Sequence, residues 1–183
     1  MEEIVDEALE ADRLVEHASV RGREVGGAGV GPVDLDEIVL RESDALRARA
    51  HTTIDTRGVS GAQVVGDAGE LTRAVRNLLD NAGRHAASTV TVTLAERNGA
   101  AVLVVADDGP GIPPDQAGRI FERFARADEA RHRDDGGAGL GLAITHDIVA
   151  GHRGTITLDP AAAGGARFVV ELPLAGPARV TEA

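Results

Sequence analysis

Apolar and polar positions along this chain change period several times, and each change marks an element. Ile4, Ala8, Ala11, Val15 and Ala18 recur at alternating spacings of four and three. That spacing predicts a helix over residues 1–20 with one apolar seam, as in a helical hairpin or short coiled coil, too short to be stable alone. Residues 21–33 hold five glycines before Val33 and read as a linker. A helix follows from about Asp34 to about Ala50, with Glu37 completing a capping pair. His51–Arg57 alternates like an edge strand, and Gln63–Gly66 is a short apolar strand. Asp67 and Glu70 then open a third helix, whose apolar stripe is Leu71, Val75, Leu78, Leu79 and Ala82. Thr89–Arg97 and Ala100–Asp107 are β-rich runs joined by Asn98-Gly99, the preferred two-residue hairpin turn. A helix is expected over Asp115–Phe124, then an irregular charged stretch to Asp135, then a glycine-rich run into a helix from Leu142 to about His152. Strands Thr155–Leu158 and Ala166–Leu172, around a Gly164-Gly165 turn, close the pattern, and residues from about Ala175 read as a tail.

This third helix carries an anomaly. The chain has three asparagines, and two of them, Asn77 and Asn81, lie here one turn apart on one face. Arg84 and His85 continue that edge. Asparagine is a poor interior helix residue because its short amide competes for backbone hydrogen bonds, so two in one turn need a reason.

Composition narrows the chemistry. Cysteine is absent, which excludes a disulfide framework and a thiolate metal site and suits a reducing compartment. Lysine is absent too, which excludes the Walker A loop and the protein-kinase type of catalytic lysine. A net charge of −11 argues against nucleic acid as the main partner. The charge is uneven: residues 1–20 hold seven acids and one arginine, whereas residues 119–133 hold five arginines and three acids. The longest apolar run, Ala100–Ala106, is far too short to span a bilayer.

Four segments in order resemble the nucleotide-binding domain of sensor histidine kinases, within the gyrase, chaperone, kinase and mismatch-repair ATPase superfamily. NLLDNAGRH (77–85) is similar to the family's N box, DDGPGI (107–112) to its G1 box, IFERFAR (120–126) to its F box and GGAGLGLAI (136–144) to its G2 box. The resemblance covers residues 34–174, with residues 1–20 similar to the end of a second dimerisation helix. It implies an α/β two-layer sandwich, a mixed sheet of about five strands with three main helices on one face, plus the short amino-terminal helix.

The resemblance also implies ATP and magnesium as ligands. Asp107 would accept a hydrogen bond from the exocyclic amine of adenine and reject guanine, which presents an acceptor there. Gly109 and Gly111 would let the main chain approach base and ribose, beside Ile112. Asn81 would offer magnesium a neutral oxygen, the remaining ligands coming from phosphates and water. Arg84 would contact phosphate and His85 would pack near the nucleotide. Gly137, Gly139, Leu140, Gly141 and Leu142 would place free helix N–H groups at the phosphates. Ala138 departs from the hydroxyl residue common in the family, which removes a side-chain contact there. Arg123 and Arg126 match the F-box arginines, while Phe121 and Phe124 read as anchors of the lid. Asn77 stands where hydrolytic relatives carry a glutamate, and a neutral amide cannot act as general base. That favours phosphoryl transfer, with Asn77, Asn81 and Arg84 as the catalytic group.

The family's phosphoacceptor is a histidine on the first dimerisation helix, followed by an acid. His17 is followed by Ala18 and lies on the helix that matches the second. The implied partners are therefore a histidine-bearing dimerisation domain and a response regulator. The fragment itself is expected in the cytoplasm, as part of a membrane-anchored sensor. Two alternatives stay open: a serine kinase of the anti-sigma type, and a module that binds nucleotide and signals without turnover.

Overall fold

The computed structural model describes residues 29–122, 140–159 and 164–176. Its strands are β1 (Gly31–Asp34), β2 (Thr53–Val59), β3 (Gln63–Gly66), β4 (Thr89–Arg97), β5 (Ala100–Asp107), β6 (Thr155–Leu158) and β7 (Arg167–Pro173). Its helices are α1 (Leu35–Arg47), α2 (Ala68–His85), the single turn α3 (Pro114–Ala117) and α4 (Gly141–Gly151). Five strands form one mixed sheet in the order β2-β4-β5-β7-β6, with β2 parallel to β4 and every other pair antiparallel. Helices α1, α2 and α4 cover one face, and α2 lies between the other two. This is the α/β sandwich with a mixed five-stranded sheet that the sequence implies.

Strict alternation builds the sheet's core side. Val90, Val92 and Leu94 of β4 and Ala101, Leu103 and Val105 of β5 are all buried, while the residues between them face outward. Asn98 and Gly99 take φ of 52° and 80°, the left-handed values that a tight hairpin needs. Leu71, Val75, Leu78 and Leu79 of α2 are each at most 3% exposed. Burial on that scale is worth about 1.5–3 kcal/mol per large side chain and is what holds a polar-edged helix in place. Among the described residues, no helix covers the other sheet face. A groove of about 650 Å³ there is lined by Thr93, Ala95, Val102, Val104 and Val169.

Three expectations change. Gly31–Asp34 lies largely within the expected linker, yet it is a strand, paired antiparallel with β3. Asp34 does not cap α1 through its side chain; its carboxylate instead accepts from Gln63 Nε2 at 2.9 Å. The helix expected from Asp115 to Phe124 ends at Ala117. Gly118 closes it, and the turns after it carry three-residue hydrogen bonds, Arg119 to Gln116 and Glu122 to Arg119. The predicted amino-terminal helix, most of the linker, the end of the F box including Arg123, Phe124 and Arg126, and residues 136–139 of the G2 box lie outside the described residues.

Charge pairs fix α1 against its neighbours. Glu42, 6% exposed, bonds Arg76 of α2 at 2.9 Å and Arg41 at 3.2 Å. The Arg76 hydrogen bond, helped by Arg41, holds the Glu42 carboxyl below the ordinary range against the opposing effect of burial. At its end, Arg47 donates to the Ile54 carbonyl and the Thr56 hydroxyl, which blocks part of the free edge of β2.

Candidate functional site

Asp107 ends β5 in the inward-facing phase of Ala101, Leu103 and Val105, so a carboxyl group occupies a core position. Its Oδ1 accepts from the Gly109 N–H at 2.9 Å and from the Ala166 N–H at 3.2 Å. Its Oδ2 is buried and has no partner among the described residues. Leaving a buried acceptor unpaired costs about 1–3 kcal/mol, so this oxygen demands a reason.

The loop after Asp107 is held from three sides. Asp108 accepts from the Ser88 and Thr89 amides at 2.8 and 2.9 Å and from the Ser88 hydroxyl, tying the loop to the α2–β4 connection. These donors, the Ser88 hydroxyl foremost, hold its carboxyl well below the usual range. Gly109 packs on the end of α2, where any β-carbon would overlap the His85 carbonyl oxygen. Gly111 has φ of 77°, and a β-carbon on it would lie 2.9 Å from the Gly165 carbonyl oxygen. The glycine at 109 is therefore required by protein backbone, a reason different from the close ligand approach that the sequence suggests.

Along α2 the polar edge is half-buried at Asn77 and Asn81 and exposed at Arg84 and His85. Asn77 and Asn81 are one turn apart, about 6 Å along the axis. Asn77 Nδ2 donates to the Gly141 carbonyl at 3.1 Å, and Thr145 Oγ1 donates to the same oxygen at 2.8 Å. The first asparagine thus grips the start of α4. The neighbouring acid, Asp80, is engaged with Arg49. At the N-cap of α4, Leu140 supplies no side-chain acceptor. Ile112 and Leu142 are half-buried and pack on the core. Phe121 stacks edge-on against Phe168, with ring centres 6.3 Å apart, and lies 5.9 Å from His146, so it anchors the segment after α3 as expected.

The structure brings Asp107, Gly109 and Gly111 together with the end of α2, and Asn77 together with Gly141. Gly137, Gly139 and Arg126 fall outside the described residues. Sequence reasoning missed Ala166 and Gly165, which hold Asp107 from the turn before β7, Ala166 lying 59 residues away. The tandem glycines immediately before β7 were the available signal, read only as a turn. It also passed over one histidine that does precede an acid. His146 and Asp147 lie on α4 of this domain, not on a dimerisation helix, with Nδ1 3.6 Å from the Asp147 carboxylate.

This arrangement of amide helix, strand-end aspartate and glycine loops on a mixed sheet defines a class. Residues 66–176 match the family described as histidine kinase-, DNA gyrase B-, and HSP90-like ATPase. The chain belongs to that family. Its similarities narrow it further, to the catalytic ATP-binding domain of a histidine kinase. Over 182 residues it is 37% identical to the probable sensor histidine kinase TcrY of Mycobacterium tuberculosis, covering 96% of this chain and 38% of that protein. A solved structure of the mycobacterial sensor histidine kinase MprB superposes with a TM-score of 0.70 at 36% identity, covering 81% of this chain and all of that one. Full-length ShkA, crystallised with AMPPNP, gives a TM-score of 0.70 at 30% identity, over 81% of this chain and 32% of that one. The chain spans less than two fifths of TcrY. Among the described residues no helix is long and apolar enough to cross a membrane.

Proposed function

We propose that this domain binds magnesium–ATP and transfers the γ-phosphoryl group to a histidine on a separate dimerisation domain, the first step of a relay to a response regulator. The observation that carries the reading is the buried, unpartnered Oδ2 of Asp107. With Oδ1 fixed by two backbone amides, the free oxygen is an acceptor of fixed position that fits the exocyclic amine of adenine. Guanine would set acceptor against acceptor there.

Asn81 would hold a magnesium ion, which supplies charge compensation on the phosphates when bound. A neutral amide suits that ion because ATP brings the negative charge. Arg84, exposed one turn beyond Asn81, is free to reach phosphate, and His85 lies beside the loop of Gly109. The start of α4 at Gly141 and Leu142, uncapped by a side chain at Leu140, offers backbone N–H groups to the phosphates. Gly137, Gly139 and Arg126 would complete that cradle. ShkA, which is similar over this domain, was crystallised with AMPPNP, and this supports ATP as the ligand.

The reaction forms a bond from an imidazole nitrogen to the γ-phosphorus and breaks the bond to ADP. Neither Asn77 nor the acid beside it on α2 is placed to activate water. Asn77 is a neutral amide occupied with Gly141, and Asp80, the one acid between Asn77 and Asn81, is occupied with Arg49. General-base help typically contributes about 10²–10⁴-fold, so hydrolysis should be feeble without it. The placement implied is the cytoplasmic part of a membrane-anchored sensor.

The test is incubation with γ-labelled ATP, alone and with the dimerisation helices of the full-length protein. No stable label should form alone, and the added helices should become labelled. That label should be lost in acid and survive alkali, as an N–P bond does. Alkali-labile label would favour a serine kinase, and ATP binding without label would favour a module that signals without turnover.

A further inference from the structure

The end of α4 carries a second tie to α2, on the side away from the Asn77–Gly141 contact. The His152 ring, 7% exposed, lies just past the last turn of α4. Its Nε2 is 3.1 Å from the backbone nitrogen of Asp67 and accepts that N–H, so Nε2 carries no proton. Its Nδ1 therefore bears the ring proton and donates to the Ile148 carbonyl at 2.8 Å. Glu70 Oε2, at 4.0 Å from Nδ1, lies too far to take that proton from the carbonyl. Gly66 makes the space, since a β-carbon there would lie 2.6 Å from Nε2.

Asp67 is the N-cap of α2, with its own carboxylate accepting from the Gly69 and Glu70 amides at 2.8 and 2.9 Å. The sequence suggests a capping box in which Glu70 reaches back to the Asp67 amide. In the fold, His152 takes that place from the other helix. Helices α2 and α4 are thus joined at both ends of α4, which spans about 16 Å.

We propose that His152 is a positioning residue for nucleotide binding. Its neutral Nδ1–H imidazole fixes the start of α2 against the end of α4, so Asn77 and Asn81 stay in register with the turn that opens α4. The inference rests on the magnesium–ATP reading, because only a ligand spanning both helices gains from their fixed relation. Without the tie, binding must first order the two helices, and that cost appears in affinity.

The test compares the wild type with His152→Phe, which fills the same space without an acceptor, and His152→Gln, whose carbonyl can accept the Asp67 N–H. Calorimetry should show magnesium–ATP binding weakened about tenfold in His152→Phe, the scale of a buried hydrogen bond, and restored to within about threefold in His152→Gln. Thermal stability should fall in both variants, which separates positioning from bulk packing. Imidazole nitrogen shifts of the wild type should report the Nδ1–H tautomer. Equal affinity losses in both variants, wild-type affinity in His152→Phe, or an Nε2–H tautomer would overturn the proposal. A wild type that binds no ATP would overturn the functional reading and this proposal with it. Should His152→Phe not fold, hydrogen exchange at the wild-type Asp67 amide decides: nucleotide should slow it about tenfold, and an unchanged rate would overturn the proposal.

Discussion

Gly165 sits against the backbone of Asp107 so closely that any β-carbon on it would overlap the Asp107 carbonyl oxygen. The next residue, Ala166, donates its N–H to Asp107 Oδ1 and accepts the Asp107 N–H at 2.9 Å. The turn before β7 is therefore part of the machinery that aims one carboxylate oxygen.

Two adjacent glycines isolate that role. Gly164 and Gly165 have φ of 80° and 76°, so alanine carries similar backbone strain at either, about 1–2 kcal/mol. Only Gly165 has backbone in the way; Gly164 has nothing within 4 Å. Gly164→Ala should cost that strain and leave ATP affinity within about threefold, whereas Gly165→Ala should cost more stability and weaken ATP at least about tenfold. Chemical denaturation and calorimetry on both variants check this.

The Glu42 ion pair predicts a pH dependence. Its folded carboxyl titrates below its ordinary value, so its contribution is present above the unfolded value and lost as pH falls through the folded one. Arg76 and Arg41 are more than half exposed, which limits the loss in Glu42→Gln to about 1 kcal/mol near neutrality. Denaturation midpoints of wild type and variant should differ at pH 7 and converge as pH falls below the ordinary glutamate range.

A variant at Asn81 tests the proposed division between metal and base recognition. Asn81→Ala should abolish the tightening of ATP binding by magnesium while metal-free ADP binds nearly as before. Affinity measured with and without magnesium checks this. Equal loss of both ligands would mark Asn81 as a folding residue.

Local signals were legible and distant pairings were not. The Asn98-Gly99 hairpin, the α2 stripe and the Asp67 side-chain cap depend on neighbours in sequence and appear as read, whereas Glu70, expected to reach back to the Asp67 amide, yields that place to His152. Even Asp107 was findable, because it continues the alternation of β5 into a buried position. Apart from the helix that Gly118 ends locally after Ala117, what failed depends on partners far along the chain. Gly31 and Pro32 look like linker residues until β3 pairs with them, and Asp34 looks like a cap until Gln63 takes its carboxylate. His152 gives no sign in sequence that its ring faces the Asp67 amide, 85 residues away.

The most direct measurement is the affinity of wild type and Asp107→Asn for ATP and for inosine triphosphate, which carries a carbonyl where ATP carries the amine. Oδ1 is held by two N–H donors, so an asparagine must keep its oxygen there and place its NH₂ at the Oδ2 position. Calorimetry suits the assay, since the chain has no tryptophan to report binding. Wild type should prefer ATP, and Asp107→Asn should lose about 1.5–3 kcal/mol of ATP binding, roughly 10–100-fold, while gaining on inosine triphosphate. A folded variant with an unchanged ratio of the two affinities would contradict the assignment of Asp107 as the reader of adenine.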